Sequence, residues 1–445
     1  MNSMTRLLIW LVLFLVLVLN GCTTHPKVTA QVFVRPGVFA DKVDKRIILD
    51  AEGTEATKNT IIEYLVIGAD SGHGYESLFK TMAKPSDVKA ALEFIGMTPG
   101  RATDYSKARL WPKGERVSCM VTCPSNSFSE RKIETMIYNN REKRVMTASG
   151  FTFIGSRQIP SREKPSQTVF AADAREPNSI ISDYNEPDSI LDVPRFAPQD
   201  HVYESMVLNP EFVPGEGRPV KLIIEPENKN GKLRVQDILM RVALKSQKST
   251  SLGDLRITLT DSKGIKLCDN AELSDSVKIF QKMAENGQDP FLVIVYDANL
   301  PLKLIRDISS ILAALEQENG IKIDEPAEGT LYYKAFIPDN KFRERKDRLA
   351  QPWELHLIKD NQLIKAELIK LEEIWQEDES TSLVEVKEHK YNLTQPSVLL
   401  STLKNNGPGL PVIIVYASED VTNGELMQYL SSVIGEYPTV HVFIE

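Results

Sequence analysis

The sequence predicts a multidomain protein of the α+β and α/β classes. A β-rich N-terminal domain with one packed helix is followed by two two-layer α/β repeat modules. Three observations carry this. Short apolar runs of strand length flank a single helical period in the first half. A proline-rich stretch separates the halves. In the second half one order of apolar runs occurs twice. At 445 residues the chain is long enough for two or three domains, each able to bury its own core. The expected boundaries are 1–21 (signal), 22–39 (tether), 40–217 (first domain), 218–338 (first module), 339–351 (charged linker) and 352–445 (second module).

The N-terminus sets the compartment. Arg6 precedes an apolar run from Leu7 to Leu19, well short of the roughly 20 residues that span a bilayer. A charged start, an apolar middle and a small-residue end describe a cleavable export signal. Gly21 directly before Cys22 resembles the lipobox of bacterial lipoproteins, which implies that Cys22 is lipidated and becomes the new N-terminus. The expected location is therefore the bacterial cell envelope, lipid-anchored and facing the periplasm. Thr23, in place of an aspartate after the cysteine, favours the outer membrane. The lipid makes the membrane one partner, and other envelope proteins are the expected macromolecular partners.

A formal net charge of −8, with acidic and basic residues interleaved, argues against nucleic acid as a partner. Besides Cys22 the cysteines are Cys119, Cys123 and Cys268, too few and too scattered for an iron–sulfur cluster. Cys119 and Cys123 share one face of a strand, about 13 Å apart, whereas a disulfide needs Cα atoms within about 7 Å. They read as two small buried side chains, with a disulfide across a turn or bulge as the alternative. No cofactor and no metal site is expected.

In the first domain, residues 46–51 and 61–67 read as strands. A helix follows over 85–95, with Pro85 in its first turn, Asp87 complementing the dipole and Gly96 stopping it. Val88, Ala91, Leu92 and Ile95 fall on one face, so the helix packs on a sheet. Ahead of it lies Gly72-His73-Gly74-Tyr75-Glu76-Ser77. His73, Tyr75, Glu76 and Ser77 are the candidate ligand-binding residues. Gly72 and Gly74 allow a tight turn, and no catalytic elbow surrounds Ser77, so an architectural role is the simpler reading and no catalytic residue is expected.

Tyr75-Glu76-Ser77-Leu78, Lys84-Pro85-Ser86, Ala90-Ala91-Leu92, Gly96, Pro99-Gly100, Phe153-Ile154-Gly155-Ser156, Ala172-Asp173 and Ile180-Ile181-Ser182 together resemble the YdjY domain family of exported bacterial proteins, over about residues 40–215. The resemblance implies a domain and no reaction. Seven prolines between Arg175 and Pro219 then predict a boundary region without long helices or central strands.

The repeat rests on Val293-Ile294-Val295-Tyr296 and Ile413-Ile414-Val415-Tyr416, each a buried-strand signal. At nearly constant spacing Phe280 and Met283 match Leu400 and Leu403, and Leu304, Ile305 and Ile308 match Leu426, Met427 and Leu430. The expected order is an opening strand (Val220–Glu225; Trp353–Ile358), a helix, a strand (Leu255–Leu259; Ser382–Lys387), a helix, the apolar strand, a helix and a closing strand (Ile321–Ile323; Val440–Ile444). The pattern resembles the periplasmic domain of ExbD-type biopolymer-transport proteins over 218–326 and 353–445, without the membrane helix and buried aspartate of that family. A motor activity is therefore not implied. The expected function is a non-enzymatic binding or scaffolding lipoprotein. The alternatives are a small-ligand receptor or enzyme acting through the 72–77 loop, and a redox or metal carrier using Cys119, Cys123 and Cys268.

Overall fold

The computed structural model describes residues 31–445 apart from 105–108, 124–129, 204, 213–214, 229–234, 247–250, 320, 325–352, 362, 379–380, 406–411 and 434–438. The expected signal segment 1–21, Cys22 and the expected charged linker 339–351 lie outside the described residues.

The first half contains β1 (Val32–Arg35), β2 (Val38–Asp41), β3 (Arg46–Gly53), β4 (Tyr64–Gly68), β5 (Ser77–Thr81), α1 (Pro85–Phe94), β6 (Arg116–Thr122), β7 (Arg131–Lys132), β8 (Ile137–Asn139) and β9 (Arg144–Val145). It continues with β10 (Phe151–Phe153), β11 (Gln158–Pro160), β12 (Thr168–Phe170), α2 (Ala171–Ala174), β13 (Ser179–Ser182), β14 (Leu191–Asp192), α3 (Gln199–Val202), β15 (Met206–Leu208) and β16 (Pro219–Pro226).

Eight of these strands close on themselves in the order β3-β16-β6-β10-β14-β13-β4-β5 and back to β3. Closure depends on β3 sharing one edge. Its first half pairs with β2, through Val38↔Leu49 to Asp41↔Arg46, and its second half with β5, through Ala51↔Thr81 to Gly53↔Phe79. A closed ring leaves no open strand edge along its staves. The interior is filled by fully buried Leu49, Val66, Phe79, Phe151, Phe153, Ile181 and Leu222, which share one face by register. Helix α1 buries Pro85, Val88, Ala91 and Leu92 as its periodicity requires, and Gly96 follows it at φ +97°.

The structure corrects three expectations here. The stretch assigned to the tether already holds β1 and the start of β2, a hairpin whose turn contains Gly37 at φ +71°; a Cβ there would stand 2.6 Å from the Ala83 nitrogen. The proline-rich stretch is no boundary, because β13 is buried at every position and β14 is a barrel stave. Prolines border these strands without interrupting them, so the ladders keep their donors. Finally, Val220–Glu225 does not open the first module. It lies in β16, paired with β3 on one side and β6 on the other, so the barrel ends near Pro226 and not at 217.

The second half holds β17 (Val235–Leu244), β18 (Leu255–Asp261), β19 (Lys266–Ala271), α4 (Leu273–Glu285), β20 (Asp289–Tyr296), α5 (Leu302–Asn319) and β21 (Lys322–Ile323). After these come β22 (Trp353–Asp360), β23 (Leu363–Asp378), β24 (Thr381–Leu393), α6 (Val398–Asn405), β25 (Val412–Ala417), α7 (Asn423–Leu430) and β26 (Thr439–Ile444). Both halves of this region use one topology: β19-β18-β17-β20-β21 and β24-β23-β22-β25-β26. Each is a three-stranded meander whose first strand runs parallel to the apolar fourth. The element order inferred from sequence is thus corrected. Among the described residues no α-helix separates the first two strands, only a 3₁₀ turn at Leu252–Asp254 in the first module; Val235–Leu244 opens that module, and Leu255–Asp261 corresponds to Leu363–Asp378. Ser382–Lys387 lies one strand later.

The loops after the two apolar strands meet. Leu302 N donates to Val421 O at 2.8 Å, Asn423 N to Leu300 O at 2.8 Å, and Gly424 N to Ala298 O at 2.7 Å. Gly424 has no room for a side chain, since a Cβ would lie 2.9 Å from Ala298 O. Equivalent loops facing each other make an isologous contact within one chain. Across it runs one apolar cluster, from Ile238 and Ile308 through Leu302 to Val421, Leu426 and Ile444. The expectation of two self-contained cores is therefore replaced by a shared one.

Candidate functional site

The loop singled out from sequence forms a 3₁₀ turn, Gly74–Glu76, leading into β5. His73 Nδ1 lies 2.6 Å from Glu76 Oε1, and the imidazole stacks on Tyr75 with centroids 5.9 Å apart. Ser77 is fully buried, and its hydroxyl donates to the His73 carbonyl at 2.7 Å. The structure therefore brings His73, Tyr75 and Glu76 together at the surface and turns Ser77 inward. A nucleophile needs a base within hydrogen-bond reach. Here the hydroxyl is spent on the main chain and the imidazole on a carboxylate.

Beneath the loop lies a layer of polar groups. Tyr64 and Tyr184 share a hydroxyl hydrogen bond of 2.8 Å, and Tyr184 donates to Glu186 Oε2 at 2.8 Å. Glu63, 5% exposed, accepts from Gln199 Nε2 at 2.7 Å. Burial, with the nearby Glu76 charge, pushes the Glu63 carboxyl up. Tyr75 stands 57% exposed above it, its hydroxyl held up by the Glu76 charge.

Sequence reasoning missed two further groupings. Asp183 is completely buried, and neither of its carboxylate oxygens has a hydrogen-bond partner among the described residues. Asp192, also fully buried, accepts from Asn185 Nδ2 at 3.3 Å. Burial holds both carboxyls well above the usual range and lowers the neighbouring Arg195, whose Nη2 donates to Asp183 O at 3.5 Å. The available signal was an aspartate inside each of two apolar runs, Ile180–Tyr184 and Ile190–Val193.

The second grouping is the junction between the barrel and the first module. A cavity of about 1130 Å³ is lined there by Trp111, Arg116, Ser149, Arg195, Glu227 and Asp289, among others. Opposite charges face each other across it. Arg116 lies 3.6 Å from Glu227 and 3.8 Å from Asp289, and Lys322 lies 3.6 Å from Asp289. The Ser149 hydroxyl is buried there without a partner among the described residues. Such a wall suits a polar ligand held by charge and hydrogen bonds. Both sides of this junction are pinned by Asp324, 5% exposed, which pairs with Arg101 and, at 2.7 Å, with Lys113. Lys113 also reaches Asp237 at 2.6 Å.

The barrel's last stave is β16, and the family comparison ends on the same strand. Residues 38–225 match the YdjY domain. No curated protein matches the chain. The YdjY domain is thus the closed barrel with α1 and the polar layer beneath Tyr75, while the two modules lie outside the match. Within the YdjY domain Cys119 and Cys123 are both buried and not joined in a disulfide. Burial pushes the Cys119 thiol well up, away from the thiolate that metal binding and redox exchange require. Cys268 lies in the first module, and no cluster of metal-ligating side chains occurs among the described residues.

Proposed function

We propose that this chain is a non-enzymatic binding or scaffolding lipoprotein of the bacterial cell envelope. In this reading Cys22 carries the lipid, and the modules engage another envelope protein. One observation carries the binding reading. Among the described residues strand β22 pairs with β23 as far as Trp353↔Lys370, and β23 and β24 continue as a pair to Asp378↔Thr381. Residues 371–378 and 381–388 therefore extend beyond the sheet as a two-stranded ribbon about 27 Å long, at roughly 3.4 Å per residue. Neither outer edge of this ribbon pairs with another strand among the described residues. Free main-chain donors and acceptors in extended conformation recruit a partner strand. The resemblance of the modules to periplasmic domains of ExbD-type proteins supports a role in the same compartment. The lipobox-like Gly21-Cys22 supports an anchor there. A second reading, small-ligand binding, is favoured by the junction cavity of about 1130 Å³.

A photo-crosslinking residue at Glu372 or Lys387, in the ribbon but outside the segment replaced below, tests the proposal in intact cells. The expected result is a discrete adduct with one envelope protein. The adduct disappears when residues 374–385 are replaced by Asn-Gly, which shortens the ribbon but keeps the pairing to β22. An adduct that survives this shortening, or none at either position, overturns the reading. For the anchor, Cys22→Ala is expected to leave unprocessed precursor without incorporated fatty acid. Normal processing and membrane retention of that variant would rule the lipid out.

A further inference from the structure

We propose that a second cavity, on the flank of the YdjY domain, binds a phosphate ester through Arg101, Arg109 and Arg157. The cavity measures about 560 Å³, a size suited to a small organic ligand and larger than a bare ion needs. Its walls come from two segments fixed by main-chain hydrogen bonds. On one side residues 100–104 and 109–114 pair with each other. Arg101 N donates to Lys113 O at 2.7 Å, Lys113 N to Arg101 O at 2.9 Å, and Asp104 and Arg109 exchange bonds of 2.9 and 3.0 Å. On the other side Ile154 N and Gly155 N both donate to Ile190 O, at 3.1 and 3.0 Å, which sets the direction of Ser156 and Arg157.

Arg101, Arg109 and Arg157 all line this cavity, and Asp104 is the one acidic residue among its described lining. The carboxylates behind the wall are shared. Asp188 pairs with Arg157 and also, at 3.4 Å, with Arg175, while Asp324 pairs with both Arg101 and Lys113. Arg101 and Arg109 are close enough that each repels the other's charge. With burial as the larger cause, this lowers Arg101 to about 10. A third observation points to a missing acceptor. Thr103 lines the same cavity, is 3% exposed, and its hydroxyl has no hydrogen-bond partner among the described residues. A buried hydroxyl left without a partner is costly, and a bound acceptor relieves that cost. Planar guanidinium forks match carboxylate and phosphate alike. A carboxylate presents only two oxygens, however, so three arginines and a hydroxyl suit the three oxygens and higher charge of a phosphoryl group better. The site is separate from the ribbon and from the junction cavity, and it does not depend on the function proposed above.

The test uses the full-length chain in detergent and follows thermal unfolding in phosphate against chloride at equal ionic strength, and in glucose 6-phosphate against glucose. The expected result is a midpoint raised by roughly 2–4 °C at about five times the dissociation constant. Arg109→Gln and Thr103→Val should each weaken binding by about tenfold or more, with each variant's response measured against its own midpoint in chloride. Arg109→Lys, which keeps the charge but loses the fork, should retain part of the response. Dihexanoyl phosphatidate is tested beside glucose 6-phosphate. A stronger response to the former assigns a lipid headgroup, and a stronger response to the latter assigns a soluble ester. Equal midpoints in phosphate and chloride, or a phosphate response that survives Arg109→Gln in full, would overturn the proposal.

Discussion

The Lys113 ammonium of the barrel lies 2.7 Å from the Asp324 carboxylate of the first module, across 211 residues of chain. Arg101 pairs with the same carboxylate, and Lys113 also packs over the Phe291 ring at 5.3 Å. The barrel and the module are therefore joined by charges that are largely out of water. Breaking such a group by removing one partner is costly because the others stay buried.

Asp324→Asn is accordingly expected to destabilise the chain by about 3 kcal/mol. Differential scanning calorimetry should show the barrel transition separating from that of the modules. A single unshifted transition would mean that the junction contributes little.

Ser77→Ala removes a buried hydroxyl that satisfies the His73 carbonyl. The expected cost is about 1 kcal/mol in urea unfolding, since a neutral intramolecular hydrogen bond contributes about that much. Loss of a hydrolytic activity at unchanged stability would instead make Ser77 a reacting group.

The Asp183 carboxyl is held well above the usual range by burial, so the folded chain keeps a proton that the unfolded chain releases near pH ~4. Above that pH the unfolded state binds fewer protons, so stability falls as pH rises until the folded carboxyl itself ionises. Asp183→Asn removes this dependence. Relative to the parent, the variant should gain about 1.4 kcal/mol per pH unit across that window. Urea unfolding at several pH values from about 5 upward measures the slope, and profiles parallel from the start would contradict it.

Ile308→Asp places an unpaired charge at a fully buried position of α5. The expected loss is at least about 4 kcal/mol. Because the apolar cluster runs on into the second module, both modules should unfold in one transition. A second module that melts at the parent temperature would show that the cores are independent after all.

The elements legible in the sequence were those written in local chemistry. Helix α1 is marked by Pro85, a 3.6-residue apolar period and Gly96. The strands at Val293–Tyr296 and Ile413–Tyr416 are marked by unbroken apolar runs, and their likeness reveals the repeat. The segment that matches the YdjY domain was legible too, because its motifs occur in order. The closing of the barrel was not. It depends on Arg46–Gly53 dividing one edge between β2 and β5, and on β16 arriving from beyond the proline-rich stretch. Strand partners far apart in sequence leave no periodicity to read. For the same reason the two modules were matched out of step by one strand. Leu255–Asp261 and Ser382–Lys387 look alike as apolar runs, and only their pairing tells a second strand from a third. In the 72–77 loop the sequence determined which groups are present: His73, Tyr75, Glu76 and Ser77. Tertiary structure decided which face each other, since a hydroxyl's partner is set by where the chain folds back and not by its neighbours in sequence. The same holds for Asp183 beside Arg195 and for Asp324 beside Lys113. The aspartates were visible, but their burial and partners became facts only once distant segments packed together.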